Sequence, residues 1–130
     1  MRGYPQFNFP AFDSVAEYMR AYGWTVFNPA DHDREVDPEM VSQPAFAAGE
    51  IENLEGFSFH DAMKWDLARV IESDAVVFLP GWEKSTGAGH EKYVAEVCGV
   101  EVLFAYPTGE FLLSNAWFVS DQYIDGMQPA

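Results

Sequence analysis

The chain has 130 residues, of which 48% are hydrophobic and 16% aromatic. This composition excludes intrinsic disorder and predicts one globular domain over residues 1–130. Lys and Arg number 7 against 21 Asp and Glu, a net charge of −14, so nucleic-acid polymers and anionic membranes are not expected as partners, because both would be repelled.

The sequence also restricts the compartment. It has no apolar run of about 18 or more residues, the length of a membrane span. Its single cysteine, Cys98, excludes an internal disulfide and is interpreted as a small core residue of a helix. We therefore expect a cytoplasmic location.

The first elements in chain order are a helix and a strand. Apolar residues recur at helical spacing from Ala11 to Tyr22, and Gly23 is typical of a helix end. The apolar run Trp24–Phe27, closed by Asn28-Pro29, predicts a strand.

The next segment, Asp31–Phe57, is acidic and shows little periodicity, so it predicts a long loop. Such a loop is typical of a lid over a pocket or of a contact between subunits. Its Asp31, His32, Asp33 and Asp37 are interpreted as a solvated acidic surface in preference to a metal site, because one histidine among carboxylates fixes no coordination geometry.

The second half alternates helices with short apolar strands. The predicted elements are a helix Asp61–Ser73, a strand Ala75–Leu79, a glycine-containing loop Pro80–Gly89, a helix His90–Cys98 and a strand Glu101–Tyr106. Phe111–Val119 is apolar and aromatic, and a strand, a helix and an interface all fit it. Strand, glycine loop and helix in this order place a ligand at the carboxyl end of a parallel sheet.

Two groups of residues are candidates for binding or catalysis. The first is Ser85-x-Gly87-x-Gly89-x-Glu91, in which a hydroxyl and bare glycine amides can hold a phosphate or sugar oxygen beside a carboxylate. A plain glycine-rich connector fits the spacing equally well. The second is Asp66, which borders an apolar helical stripe and needs a partner. An ion pair with Arg69 is the simplest alternative to a functional role.

Several short motifs, in their order and spacing, carry a resemblance to a known family. They are Met1-Arg2-Gly3-Tyr4, Asn8-Phe9-Pro10-Ala11-Phe12-Asp13, Val26-Phe27-Asn28-Pro29-Ala30, Trp65-Asp66-Leu67-Ala68, Ser73-Asp74-Ala75-Val76-Val77, the Ser85–Glu91 motif, and Pro107-Thr108-Gly109 leading to Leu113-Ser114. The sequence resembles the nucleoside 2-deoxyribosyltransferase-like superfamily, in particular its 2′-deoxynucleoside 5′-monophosphate N-glycosidase branch and related short phage and bacterial proteins.

The resemblance implies an α/β fold, a flavodoxin-like three-layer sandwich around a parallel sheet. In the family a strand ends at the motif that matches Met1-Arg2-Gly3. This chain starts there, so we expect the usual first strand to be lacking. Either the natural product is longer, or another segment takes the place of that strand, or the sheet is rearranged. The resemblance also implies a bacterial or phage-infected cell and a homodimer or higher homo-oligomer.

The resemblance further assigns catalytic roles. Glu91 matches the nucleophile that forms a glycosyl-enzyme intermediate, and Asp66 matches the acid that orients the base. Ser85 stands where relatives that act on unphosphorylated nucleosides carry an aspartate. Since serine can donate a hydrogen bond to a phosphate and aspartate would repel it, a nucleoside 5′-monophosphate is the expected substrate.

The resemblance also implies which residues hold the substrate: Arg2, Gly3, Ser85, Gly87 and Gly89 within one chain, with Ser114 and Asn115 reaching a neighbouring chain's pocket. No cofactor or metal is expected. The closest alternatives are a nucleoside 2-deoxyribosyltransferase and a non-catalytic nucleotide-binding protein on the same fold. A structural or interaction protein is the third class.

Overall fold

Helices make up the first half of the chain, and a small sheet with flanking helices makes up the second. The computed structural model describes residues 5–107 and 117–123, which divide into two compact units, Met1–Ala62 and Met63–Ala130. The elements are α1 (Phe9–Ala21), α2 (Pro29–Val36), α3 (Pro44–Ala48), α4 (Phe59–Glu72), β1 (Ala75–Phe78), α5 (Thr86–Val97), β2 (Glu101–Pro107) and β3 (Trp117–Ser120). Within the described ranges, no helix is long and apolar enough to cross a membrane.

Helix α1 confirms the first predicted helix and begins two residues earlier. Its apolar face buries Phe9, Val15, Ala16 and Met19. The chain leaves the helix through Gly23, whose φ of 94° lies in the left-handed region that glycine adopts without strain.

The prediction of a strand at Trp24–Phe27 is wrong. These residues belong to no strand, and the rings of Trp24 and Phe27 are 43% and 48% exposed. The Val26 carbonyl accepts a hydrogen bond from the Arg20 guanidinium (3.0 Å). A side chain thus supplies the partner that a neighbouring strand would supply in a sheet.

The prediction of a loop over Asp31–Phe57 is also wrong, because this segment is largely helical. Asn28 caps α2 by accepting a hydrogen bond from the Ala30 N–H (3.0 Å), and Pro29 is the first helical residue. Pro44 likewise begins α3. The segment contributes to a buried cluster of Phe9, Ala30, Met40, Ala45, Phe46 and Leu54.

Asp31, one of the acidic residues of α2, forms an ion pair within its own helix. The Arg34 guanidinium donates to Asp13 (2.6 Å) and to Asp31 (2.9 Å), and the buried Asn28 amide donates to the same Asp13 carboxylate (3.0 Å). Arg34 therefore joins α2 to α1 through Asp13. Among the described residues, no three His, Cys, Asp or Glu side chains are arranged to hold a metal ion.

The second unit is built on a three-stranded mixed sheet in the order β1-β2-β3. Strands β1 and β2 are parallel, with Ala75 opposite Glu101 and Phe78 opposite Phe104. Strand β3 is antiparallel to β2 and pairs Trp117 with Pro107. The two predicted strands are confirmed, and the fold class is mixed α/β.

Helix α4 precedes β1 in the chain, and α5 connects β1 to β2. Both helices pack apolar residues against the sheet. Val70 of α4, Ala95 of α5 and Val100 form one buried cluster, with Val94 packed against it. Cys98 is exposed at the end of α5, so its predicted place in the core is wrong. Helix α5 ends at Val97, so Cys98 lies past its last residue, whereas Ala95 within the helix faces the core.

Candidate functional site

Ser85 determines where α5 begins. Its Oγ accepts a hydrogen bond from the Ala88 N–H (3.2 Å), and its carbonyl accepts one from the Gly89 N–H (3.1 Å). Because a serine cap stabilises a helix start, α5 begins at Thr86, four residues earlier than predicted. Gly87 and Gly89 therefore lie in its first turn and not in a loop.

The early start moves Glu91 away from the helix end. It is the sixth residue of α5 and lies in the second turn. Glu91 comes three residues after Ala88, which packs against the aromatic cluster of the sheet, and four before the fully buried Ala95. These spacings place Glu91 on the inward face of α5, and its side chain is partly buried.

Asp66 occupies an equivalent position on α4. It lies four residues before the buried Val70 and three after Met63, so all three share one face of the helix. The side chain is partly buried. Arg69, the ion-pair partner considered from the sequence, pairs with Glu72 and lies over the Trp65 ring.

The side chains of Asp66 and Glu91 are hydrogen-bonded to each other. Burial, with the charge and the hydrogen bond of Asp66 as further causes, raises the pKa of Glu91 to about 8. Two carboxyl groups can share a hydrogen bond only when one of them holds a proton, so the pair retains one proton at neutral pH. The structure thus places together the two residues that the sequence named as catalytic.

Two backbone N–H groups remain as hydrogen-bond donors at the start of α5. Ser85 engages the N–H groups of Ala88 and Gly89, whereas in the described part of the chain no acceptor is bonded to the N–H groups of Thr86 and Gly87. No described atom lies within 4 Å of a Cβ built on Gly89. Free N–H groups at a helix start favour an anion.

Lys92, the cation next to Glu91 in sequence, is engaged elsewhere. Its Nζ pairs with Glu96 (2.8 Å), one turn further along α5, and lies 5.7 Å from the centre of the Trp82 ring. Trp82 itself packs against Phe78 and Phe104 of the sheet. Lys92 therefore joins α5 to the turn that precedes it.

A small cavity lies at the carboxyl end of β1, on the aromatic side of this turn. Its lining includes Trp82, Glu83, Phe104 and Tyr123, and the Tyr123 hydroxyl donates a hydrogen bond to Glu83. With a volume of about 10 Å³ it has room for one water molecule and not for a nucleobase. No local sequence pattern indicated this contact, because 40 residues separate its two ends.

Four of the predicted substrate-binding residues lie outside the described residues: Arg2, Gly3, Ser114 and Asn115. Ser85, Gly87 and Gly89 lie in the second unit with Asp66 and Glu91. The hydrogen bond between the two carboxyl groups was not predicted. The available signal was the spacing of each acid from buried apolar residues on its own helix.

Comparisons with known proteins identify a family but no activity. Residues 1–104 match a family described as a domain of unknown function, DUF4406. The chain belongs to this family. No curated protein and no solved structure matches the chain.

Proposed function

We propose, from the resemblance and from the placement of Asp66 and Glu91, that this protein hydrolyses the N-glycosidic bond of a (deoxy)nucleoside 5′-monophosphate. The resemblance described above supports the proposal, and the hydrogen bond between Asp66 and Glu91 carries it. Two carboxyl groups that share one proton provide both an acid and a nucleophile. We further propose a flavodoxin-like fold and a cytoplasmic homodimer or higher homo-oligomer.

In the first step, the bond between C1′ and the base nitrogen breaks, and its electron pair stays with the base. Asp66, holding the shared proton, gives it to that nitrogen. A carboxylate oxygen of Glu91 bonds to C1′ through an oxocarbenium-like transition state. In the second step, water attacks C1′ and passes a proton to Asp66 while the bond between C1′ and the Glu91 oxygen breaks, which releases the sugar 5′-phosphate and leaves Glu91 as a carboxylate.

The hydrogen bond must open for this reaction. Retaining glycosidases hold their two carboxyl groups about 5 Å apart, on either side of the glycosidic bond. Asp66 and Glu91 touch each other, so the substrate has to enter between them and take over the contact. The proton then moves to Asp66, because an approaching cationic sugar carbon favours the ionised form of Glu91.

The start of α5 is the proposed phosphate site. The N–H groups of Thr86 and Gly87 and the Ser85 hydroxyl are available as donors, and they would offset the local repulsion of a protein with a net charge of −14. The open space beside Gly89 leaves room for the phosphate. A nucleoside without phosphate would lose this contact and bind more weakly.

The test is release of free base from a panel of nucleoside and deoxynucleoside 5′-monophosphates, measured by chromatography. We expect Glu91→Gln to lower the rate at least about 1,000-fold and Asp66→Asn about 100-fold. Glu96→Gln is the matched control, because Glu96 is an exposed acid of the same helix paired with Lys92, and we expect wild-type rates. Equal rates in all three variants would overturn the proposal.

A non-catalytic nucleotide-binding protein is the second candidate, favoured by one observation. With its pKa raised to about 8, Glu91 is mostly protonated at neutral pH when no ligand is bound, and a protonated carboxyl group is a poor nucleophile. Tight binding without base release, unchanged by Glu91→Ala, would establish it. Exchange of the base when a second free base is added would instead indicate a deoxyribosyltransferase.

A further inference from the structure

Gly87 has a close neighbour that its position in the motif does not predict. A Cβ built on Gly87 would lie 3.3 Å from the Met63 Sδ of α4, closer than most carbon–sulfur contacts allow, and 3.9 Å from the Ser85 Oγ. Gly89, two residues further on, has no described atom within 4 Å of its Cβ position. The two glycines of the motif therefore differ: one faces another helix and the other faces open space.

The contact between Met63 and Gly87 lies one helical turn from the carboxyl pair on both helices. Asp66 follows Met63 by three residues on α4, and Glu91 follows Gly87 by four on α5. Residues at these spacings lie on one face of a helix. The packed contact and the hydrogen bond are thus two successive contacts along the same pair of helices.

We propose that Gly87 is a positioning residue, whose missing side chain lets Met63 pack against α5 and so holds Asp66 within hydrogen-bonding distance of Glu91. The importance of this spacing for catalysis rests on the proposed function, but the spacing itself does not. A methyl group at position 87 would require the Met63 sulfur to move outward by a few tenths of an ångström, and we expect α4 to move with it. A displacement of this size weakens a hydrogen bond between two carboxyl groups, because such a bond requires a short distance between its two oxygens.

The readout is the titration of the Glu91 carboxyl carbon by NMR in the ligand-free protein, over about pH 4 to about pH 10. In Gly87→Ala we expect the pKa of Glu91 to fall by at least about one unit, because the pair opens and water reaches it. Gly89→Ala is the matched control. It adds the same methyl group to the same helical turn in open space, and we expect the wild-type titration.

A second variant tests whether the Met63 contact is the cause. In Met63→Ala/Gly87→Ala the sulfur is gone, so the new methyl group has room, and we expect the pKa of Glu91 to return most of the way to the wild-type value. This variant also serves if Gly87→Ala alone does not fold. A titration in Gly87→Ala that matches Gly89→Ala, or a double variant that titrates like an exposed glutamate, would overturn the inference.

This test separates the inference from the proposed function. If Gly87→Ala lowers the pKa of Glu91 and the wild type releases no base, the positioning role is supported and the glycosidase is rejected. Base release by the wild type together with an unchanged titration in Gly87→Ala would reject the positioning role and leave the glycosidase supported.

Discussion

At the scale of single residues, the site depends on how one carboxyl group is buried. Glu91 has the chemistry of a surface residue but occupies an inward position between Ala88 and Ala95. Removing a carboxylate from water favours its neutral form, and the neighbouring Asp66 adds to that preference. A glutamate on the helix surface would be ionised at neutral pH and would share no proton with Asp66.

This burial predicts how stability depends on pH. The pKa of Glu91 is raised in the folded protein to about 8, whereas an unfolded chain has a glutamate pKa of about 4.3. Between these values the folded state binds more protons, so the free energy of unfolding falls as pH rises, and the contribution of Glu91 is lost as pH passes about 8. We expect denaturant titrations to show this loss, on the order of a few kcal/mol.

In Glu91→Gln most of this pH dependence should disappear, because the amide does not titrate and still donates a hydrogen bond to Asp66. Glu96→Gln keeps the buried group and should keep the wild-type slope. If Glu91→Gln and the wild type lose stability in parallel from about pH 5 to about pH 9, the raised pKa belongs to another group.

At the scale of elements, local periodicity accounts for the helices and strands that the sequence predicted. Helices α1 and α4 and strands β1 and β2 repeat their apolar residues over enough positions to be recognised. Helices α2 and α3 are short, and their apolar residues meet Phe9 across the fold instead of repeating along the chain. Their signals were the caps Asn28-Pro29 and Gln43-Pro44.

The site could be predicted from the sequence only in part. Resemblance named Glu91 and Asp66, but their hydrogen bond joins residues 25 positions apart and depends on how two helices pack. The false strand at Trp24–Phe27 has the same origin, because a strand requires a partner that no local pattern reveals. The prediction that the two glycines of the motif lie in a loop was wrong, because the helix cap Ser85 outweighs their low helix propensity.

Ser85 caps α5 and is also the proposed phosphate ligand. Two substitutions separate these two roles. Ser85→Ala removes both, so we expect a loss of about 1 kcal/mol in the free energy of unfolding and weaker nucleotide binding. Ser85→Asp keeps the cap, because aspartate accepts the Ala88 N–H equally well, but its charge repels a phosphate. We expect wild-type stability with at least about 10-fold weaker binding of a 5′-monophosphate.

Calorimetry for binding and denaturant unfolding for stability give the two readouts. A Ser85→Asp variant that binds a 5′-monophosphate as tightly as the wild type would show that position 85 only caps α5. The corresponding unphosphorylated nucleoside is the matched control ligand, because its affinity should be the same in the wild type and in Ser85→Asp.

At the scale of the whole molecule, the proposed substrate and the protein carry charge of the same sign. The chain has a net charge of −14, and a nucleoside 5′-monophosphate is a dianion near neutral pH. Long-range repulsion therefore opposes the approach of the substrate, while the donors at the start of α5 attract it only at short range. The two effects respond differently to salt, because distant charges are screened first.

We therefore expect added salt to help binding, the reverse of its usual effect on phosphate ligands. Raising the ionic strength from about 0.01 M to about 0.15 M shortens the screening length from about 30 Å to about 8 Å. This should raise the association rate of a 5′-monophosphate several-fold, with little change in its dissociation rate. Stopped-flow binding measures both rates, and the uncharged nucleoside provides the control, since its association rate should not respond to salt. A 5′-monophosphate whose association slows as salt is added would indicate a locally positive entrance and contradict this prediction.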